Sequence, residues 1–237
     1  ASGLRSENGT AGIGYVDRVA RGDLEAFEAE VRSNGLPDYK AERAGDHDPL
    51  YLVKYIEHFA DNQGALGIDI ANGVTRRSAA ELATKEIRVS MSKRIRVIVG
   101  ETETPGFLLF FPAFKRGLPI DTAEAREENL KGWVYGAVRV DALVAPLEEL
   151  YLSEIGFTVH EGGRDEPGRP LWSGGTPSGS LKYMGVEEVD VFGQTWTVRT
   201  FPREELVRDP AHRYAWLALA FGLIGSGGAV MLTLRLT

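Results

Sequence analysis

The sequence predicts an α+β fold with mostly antiparallel strands, followed by one membrane-spanning helix. Short β-rich runs recur along the chain between Gly, Asn, Asp and Pro turns. Two segments with apolar residues at 3- to 4-residue spacing fall among them. Tyr214 to Leu234 is 21 residues without a charge.

Gly12 to Val19 reads as a short strand. Gly22 and Asp23 then open a helix on Leu24, Phe27 and Val31, and Asn34-Gly35 ends it. Tyr51 to Ile56 is strand-like and Asn62 to Gly67 loop-like. Gly73 to Lys85 reads as a second helix, with Ala79, Leu82 and Ala83 inward and Arg76, Arg77, Glu81 and Lys85 outward. Strands follow at Arg88 to Ser92 and Ile95 to Val99. A turn at Thr104-Pro105-Gly106 leads into Phe107 to Phe114, which is apolar enough to be a buried strand. Asp121-Thr122 starts a short helix, Lys131 to Val140 is an alternating strand, and Leu143 to Leu152 a helix that marks a boundary between a larger and a smaller unit. Strands at Gly156 to His160, Leu171 to Ser173, Leu181 to Val191 and Thr195 to Thr200 complete the pattern.

As a helix, the uncharged run would rise roughly 31 Å, about the thickness of a bilayer's hydrocarbon core. Tyr214 and Trp216 lie at one end, where aromatic rings favour the membrane–water boundary, and Arg213 and Arg235 bracket it. Small residues four apart, Gly222/Ser226 and Gly225/Ala229, suit close helix–helix approach. Residues 1–12 carry no signal-peptide pattern. The chain is then either tail-anchored or, the favoured expectation, part of a longer chain with an earlier membrane segment, with residues 1–210 outside the membrane.

Composition narrows the chemistry. With 27 Lys+Arg against 34 Asp+Glu the net charge is −7, which argues against a nucleic-acid partner. The absence of cysteine removes disulfides, thiolate metal sites and a cysteine nucleophile. Asp46-His47-Asp48 resembles an acid–base or metal cluster, yet turn residues in such a loop are expected for backbone reasons, so a solvated loop is the leading reading. Glu57-His58 lacks the spacing of a zinc helix, His160 and His212 stand alone, and Ser173-Gly174-Gly175 and Ser178-Gly179-Ser180 lack the setting of a nucleophile elbow. The glycine-rich run Gly162 to Gly179 has no following Lys-Ser/Thr and reads as a hairpin connection, not a phosphate loop. No cofactor and no catalytic or metal residue is expected. Asp69 is the best candidate ligand anchor, at a hand-over into the helix at Gly73; its plain structural role would be to cap backbone amides around Asn72.

Four blocks in order resemble the CHASE domain, the extracytoplasmic sensor of many histidine kinases and nucleotide or diguanylate cyclases. They are GIGYVDRV (12–19), NQGALGIDIANGVTRRSAAELA (62–83), PGFLLFFPAFKRGLP (105–119) and LKGWVYGAVRVDALV (130–144). The resemblance implies two tandem PAS-like units between two membrane helices, after a stalk helix. Residues 1–11 would be the stalk's end or a connector. Residues 12–144 would be the larger membrane-distal, ligand-binding unit, 145–210 the smaller proximal one and 211–237 the second membrane helix. It also implies a homodimer in the cell membrane and an unknown small-molecule ligand. In the family's plant cytokinin receptors an acid matching Asp69 bonds the ligand, and a strand residue matching Met91 contributes backbone contacts. Phe110 stands where those receptors carry a small hydroxyl residue, so cytokinin is not the expected ligand. Leu109, Phe110 and Tyr135 complete the candidate ligand-binding set, with Phe107 and Phe111 in the strand walls. By the pleat Phe107, Leu109 and Phe111 share one face and Phe110 takes the other.

The leading expectation is therefore a sensor passing ligand occupancy through helix 214–234 to a cytoplasmic kinase or cyclase. The alternatives are a ligand-free structural or dimerisation module whose cavity Phe110 fills, and a membrane-anchored hydrolase using Asp46-His47-Asp48.

Overall fold

A computed structural model of the chain describes residues 10–57, 59–99, 102–144, 155–165, 168, 170–174 and 185–202. Helix 143–152 falls outside this set beyond residue 144, and the expected membrane helix falls wholly outside it. Among the described residues no helix is long and apolar enough to cross a membrane.

The described chain is α+β, in two antiparallel sheets. The first runs β1 (Thr10–Val19), β2 (Leu50–Ile56), β3 (Ser90–Met91), β4 (Ile95–Val99), β5 (Thr102–Phe114) and β6 (Leu130–Arg139). Its order is β2-β1-β6-β5-β3, with β4 also paired to β5. The second runs β7 (Ile155–Glu161), β8 (Pro170–Gly174), β9 (Gly185–Val191) and β10 (Gln194–Pro202), in order β8-β7-β10-β9. Helices α1 (Leu24–Ser33), α2 (Phe59–Asn62), α3 (Val74–Glu86) and α4 (Ala123–Asn129) lie in the connections of the first sheet.

The expected turn at Thr104-Pro105-Gly106 is not a turn: β5 runs straight through it. Pro105 opposes Arg96 of β4. On the other side β6 reaches only as far as Arg139, opposite Gly106, so there the missing proline N–H leaves no ladder partner unpaired. Gly106 matters sterically, since a Cβ there would come 2.5 Å from the Val138 carbonyl and the Val97 side chain.

Helix α3 covers one face of the first sheet. Its buried stripe is Ala79, Ala80, Ala83 and Thr84, while Leu82, expected inward, is only half-buried. These small residues let the helix backbone approach the sheet closely. Trp133 Nε1–H reaches across it to Ala80 O (2.9 Å) and Thr84 Oγ1 (3.0 Å). Val16, Tyr51, Val53, Leu108, Phe110, Trp133 and Tyr135 complete this core.

Helix α1 covers the opposite face at the β2 end, burying Leu24, Phe27 and Val31 against Val19, Leu50 and Leu52. Lys54 Nζ bridges Asp17 (3.3 Å) and Glu30 (3.0 Å) above the Phe27 ring. Glu28 is buried on the same helix. Its Oε1 accepts the Ala41 amide (2.8 Å) and its Oε2 faces Arg32 and Arg43. The Ala41 hydrogen bond, helped by the two guanidinium groups and opposed by burial, holds the Glu28 carboxyl below its ordinary 4.5. A depressed carboxyl stabilises the fold above that ordinary value and loses its contribution as pH falls through the folded value. Glu28→Gln is therefore expected to lower stability at neutral pH and to flatten its decline below pH 4.5. Urea midpoints measured across this range check it, and parallel curves would contradict it.

The second sheet docks on this same face at the β5 end. Phe157, Val159, Leu171 and Trp196 pack against Met91, Phe107, Val140 and Val144, with the Phe107 and Trp196 rings 5.2 Å apart.

Candidate functional site

Asp69 sits where the chain leaves β2's edge for α3. It pairs with Leu52 in an isolated bridge and caps the short 3-10 turn Ile70–Asn72. The residue is fully buried. Its Oδ1 accepts two backbone amides, Tyr51 N and Ala71 N, each at 3.0 Å. Its Oδ2 makes a third hydrogen bond, to His47 Nε2 at 2.6 Å. The Asp69 amide donates to Glu42 Oε2 (2.9 Å).

This corrects the reading of Asp46-His47-Asp48 as a solvated loop. Asp46 and Asp48 are exposed, but the His47 ring is only 16% exposed because Asp69 draws it inward. Arg21 fastens the loop from outside: its Nε donates to His47 O (2.7 Å), a terminal nitrogen to Gly45 O, and its amide to Asp48 Oδ1 (3.0 Å). No group of three or more metal-ligating side chains occurs among the described residues. His160 bonds Gly168 O and Thr158 Oγ1, whereas His58 and His212 lie outside the described residues.

The other candidate residues divide between two faces, as the pleat requires. Phe110 opposes Tyr135 across β5 and β6, and both are buried in the α3-side core, which also holds Ile70 and Ala71 next to Asp69. Burial raises the Tyr135 phenol well above its ordinary value and pushes Tyr51, stacked 4.4 Å from Trp133, up to about 12. Met91 opposes Leu109, and both join Phe107 on the face toward the second sheet. The Met91 backbone is engaged there: its N–H donates to Phe192 O (3.0 Å) and its carbonyl accepts from Gln194 Nε2 (2.9 Å).

One polar group escapes any sequence signal. Ser90 lies directly across from Phe110, fully buried, and its Oγ has no hydrogen-bond partner. Ser90 on β3 and Asp69 beside β2 stand at opposite edges of the sheet, and both are fully buried.

The family model described as "CHASE domain" matches residues 1–172 of the 237. The chain belongs to the CHASE domain family. The match extends past the four sequence blocks into β8. The CHASE domain is a sensory domain of signalling receptors. No curated protein matches the chain. The CHASE chain is similar to the solved structure of "Methyl-accepting Chemotaxis protein X", at 10% identity and a TM-score of 0.46, over 82% of this chain and 76% of that one.

Proposed function

We propose that this CHASE chain is the extracytoplasmic small-molecule sensor of a transmembrane histidine kinase or cyclase, and that its ligand competes with His47 for Asp69. The family membership carries the sensor reading. The order β2-β1-β6-β5-β3 supports residues 12–144 as a membrane-distal PAS-like unit, and the four-stranded sheet supports 145–210 as a smaller proximal one. Residues 211–237 supply the membrane helix, and the chain works as a homodimer.

The two Asp69 oxygens have different duties. Two backbone amides hold Oδ1 and fix the carboxylate's orientation. Oδ2 is held by a side chain on a loop, so a ligand N–H or O–H can replace His47 without breaking the sheet. From Asp69 the chain continues through Ile70 and Ala71 into the buried core that also holds Tyr135 and Phe110. The Asp69 turn leads directly into α3, and α3 leads to β3, where Met91 holds Phe192 and Gln194 of the second sheet. That sheet's last strand runs into residues 203–237. A ligand with different affinity for two arrangements of this path shifts their populations.

A second reading rests on the same contacts. Asp69 and the Met91 backbone are fully bonded internally and Phe110 is fully buried, which is what a ligand-free dimerisation module would show. A thermal-shift screen against purines, amino acids, organic acids and sugars separates the two. The sensor reading expects saturable stabilisation by one class, because a ligand that binds only the folded state raises its melting temperature. No stabilisation by any class would favour the ligand-free module.

A further inference from the structure

We infer that the chain has a second recognition site, a preformed groove at the outer edge of β2 that binds a small organic monocarboxylate with an apolar body. The groove encloses about 700 Å³, and Leu66 and Ile68 line it beside Lys40, Arg43, Asn72 and Arg76. That volume suits a ligand of roughly ten to fifteen heavy atoms. Asp69, Phe110 and Tyr135 do not line it, although it adjoins Asp69 through Glu42, which accepts the Asp69 amide (2.9 Å).

Its walls are tied by backbone hydrogen bonds. Glu42 N donates to Gly67 O (2.7 Å), Gly67 N to Val53 O (2.9 Å) and Val53 N to Ile68 O (3.1 Å). Gly67 allows this close approach: it has φ +73°, and a Cβ there would lie 2.0 Å from Lys40 O. The groove therefore needs little ordering on binding.

Its charge is opposite to that of the whole chain. Three cations, Lys40, Arg43 and Arg76, face one carboxylate, Glu42, in a protein of net charge −7. Glu42 is engaged by the Asp69 amide, and Arg43 shares Glu28 with Arg32. Lys40 and Arg76 pair with no carboxylate among the described residues. With Arg43 partly neutralised and Glu42 nearby, the balance suits a monoanion better than a phosphate dianion. A guanidinium holds a carboxylate in a two-pronged hydrogen bond, and the Asn72 amide adds a further donor.

Gly73 lies against the end of the Arg76 side chain. Its φ of −99° and ψ of 113° suit any residue. Its bare Cα instead leaves room for Arg76, whose Nε would lie 2.5 Å from an added Cβ. Glycine there makes space for the guanidinium beside the groove.

The test titrates the full chain with 3-phenylpropionate and, as the neutral control, 3-phenylpropanamide, by calorimetry. The carboxylate is expected to bind with a Kd of about a millimolar or tighter, and the amide at least tenfold more weakly. Arg76→Gln should weaken carboxylate binding at least tenfold, and Gly73→Ala, which displaces the guanidinium while keeping the backbone, should weaken it severalfold. Lys115→Gln, at the end of β5 away from the groove, should leave it unchanged, and the Asp69 reading is tested apart by the thermal-shift screen. The inference is overturned if the carboxylate does not bind, if the amide binds equally well, or if Arg76→Gln and Gly73→Ala both retain full affinity in folded protein.

Discussion

Replacing Trp133 by alanine is expected to remove about 3–5 kcal/mol of folding stability, the range for deleting a large buried aromatic residue. The ring is fully buried between α3 and Tyr51, so its loss leaves a cavity in the core shared by α3 and the sheet. The loss also removes two hydrogen bonds from the indole. Trp133 Nε1–H supplies Ala80 O and Thr84 Oγ1 inside that core, and without the indole these two keep only their bond to each other and the helix ladder. Trp133→Phe separates the two contributions: it keeps most of the volume and is expected to lose about 1–2 kcal/mol through the missing hydrogen bonds. Urea denaturation of the three proteins is the measurement. Equal stability of Trp133→Phe and the parent would mean that the contacts to α3 contribute nothing.

Asp69→Ala is expected to cost about 3 kcal/mol or more, because one truncation leaves several buried donors unpaired at roughly 1–3 kcal/mol each. Tyr51 N and Ala71 N lose their acceptor on β2 and the 3-10 turn, and His47 loses the contact that draws it inward. Asp69→Asn should be far milder. Its carbonyl oxygen can take the place of Oδ1 for both amides, and its NH₂ can face a neutral imidazole of the other tautomer. Thermal denaturation of both variants checks the difference. If Asp69→Ala melted with the parent, the carboxylate would have no structural role.

Much of this fold is written locally. The strands announce themselves through β-rich alternation, and α1 through Gly22-Asp23 at its start and Asn34-Gly35 at its end. The segment at 104–106 misleads because Thr-Pro-Gly has turn chemistry, while its actual setting, opposite the end of β6, depends on where another strand stops. The candidate site is harder to read for the same reason. Asp69 stands out by its position before a helix, but its partner His47 is 22 residues away and its loop reads as solvent-facing. Nothing local to Met91 signals that its backbone is held by Phe192 and Gln194. Ser90 Oγ becomes notable only once its burial and its lack of a hydrogen-bond partner are known. Periodicity reports which face is buried; it does not report which distant loop arrives to cover it.

The central claim is that a ligand displaces His47 from Asp69 Oδ2, and it is tested most directly by calorimetry with the compound that stabilises the chain. The parent, His47→Ala and Asp69→Asn are compared. Removing His47 removes an internal competitor, so affinity should rise, by up to about tenfold if the competing contact is worth about 1.4 kcal/mol. Asp69→Asn, which keeps the fold, should lower affinity at least tenfold. Equal affinity in all three proteins would contradict the account and place the ligand elsewhere.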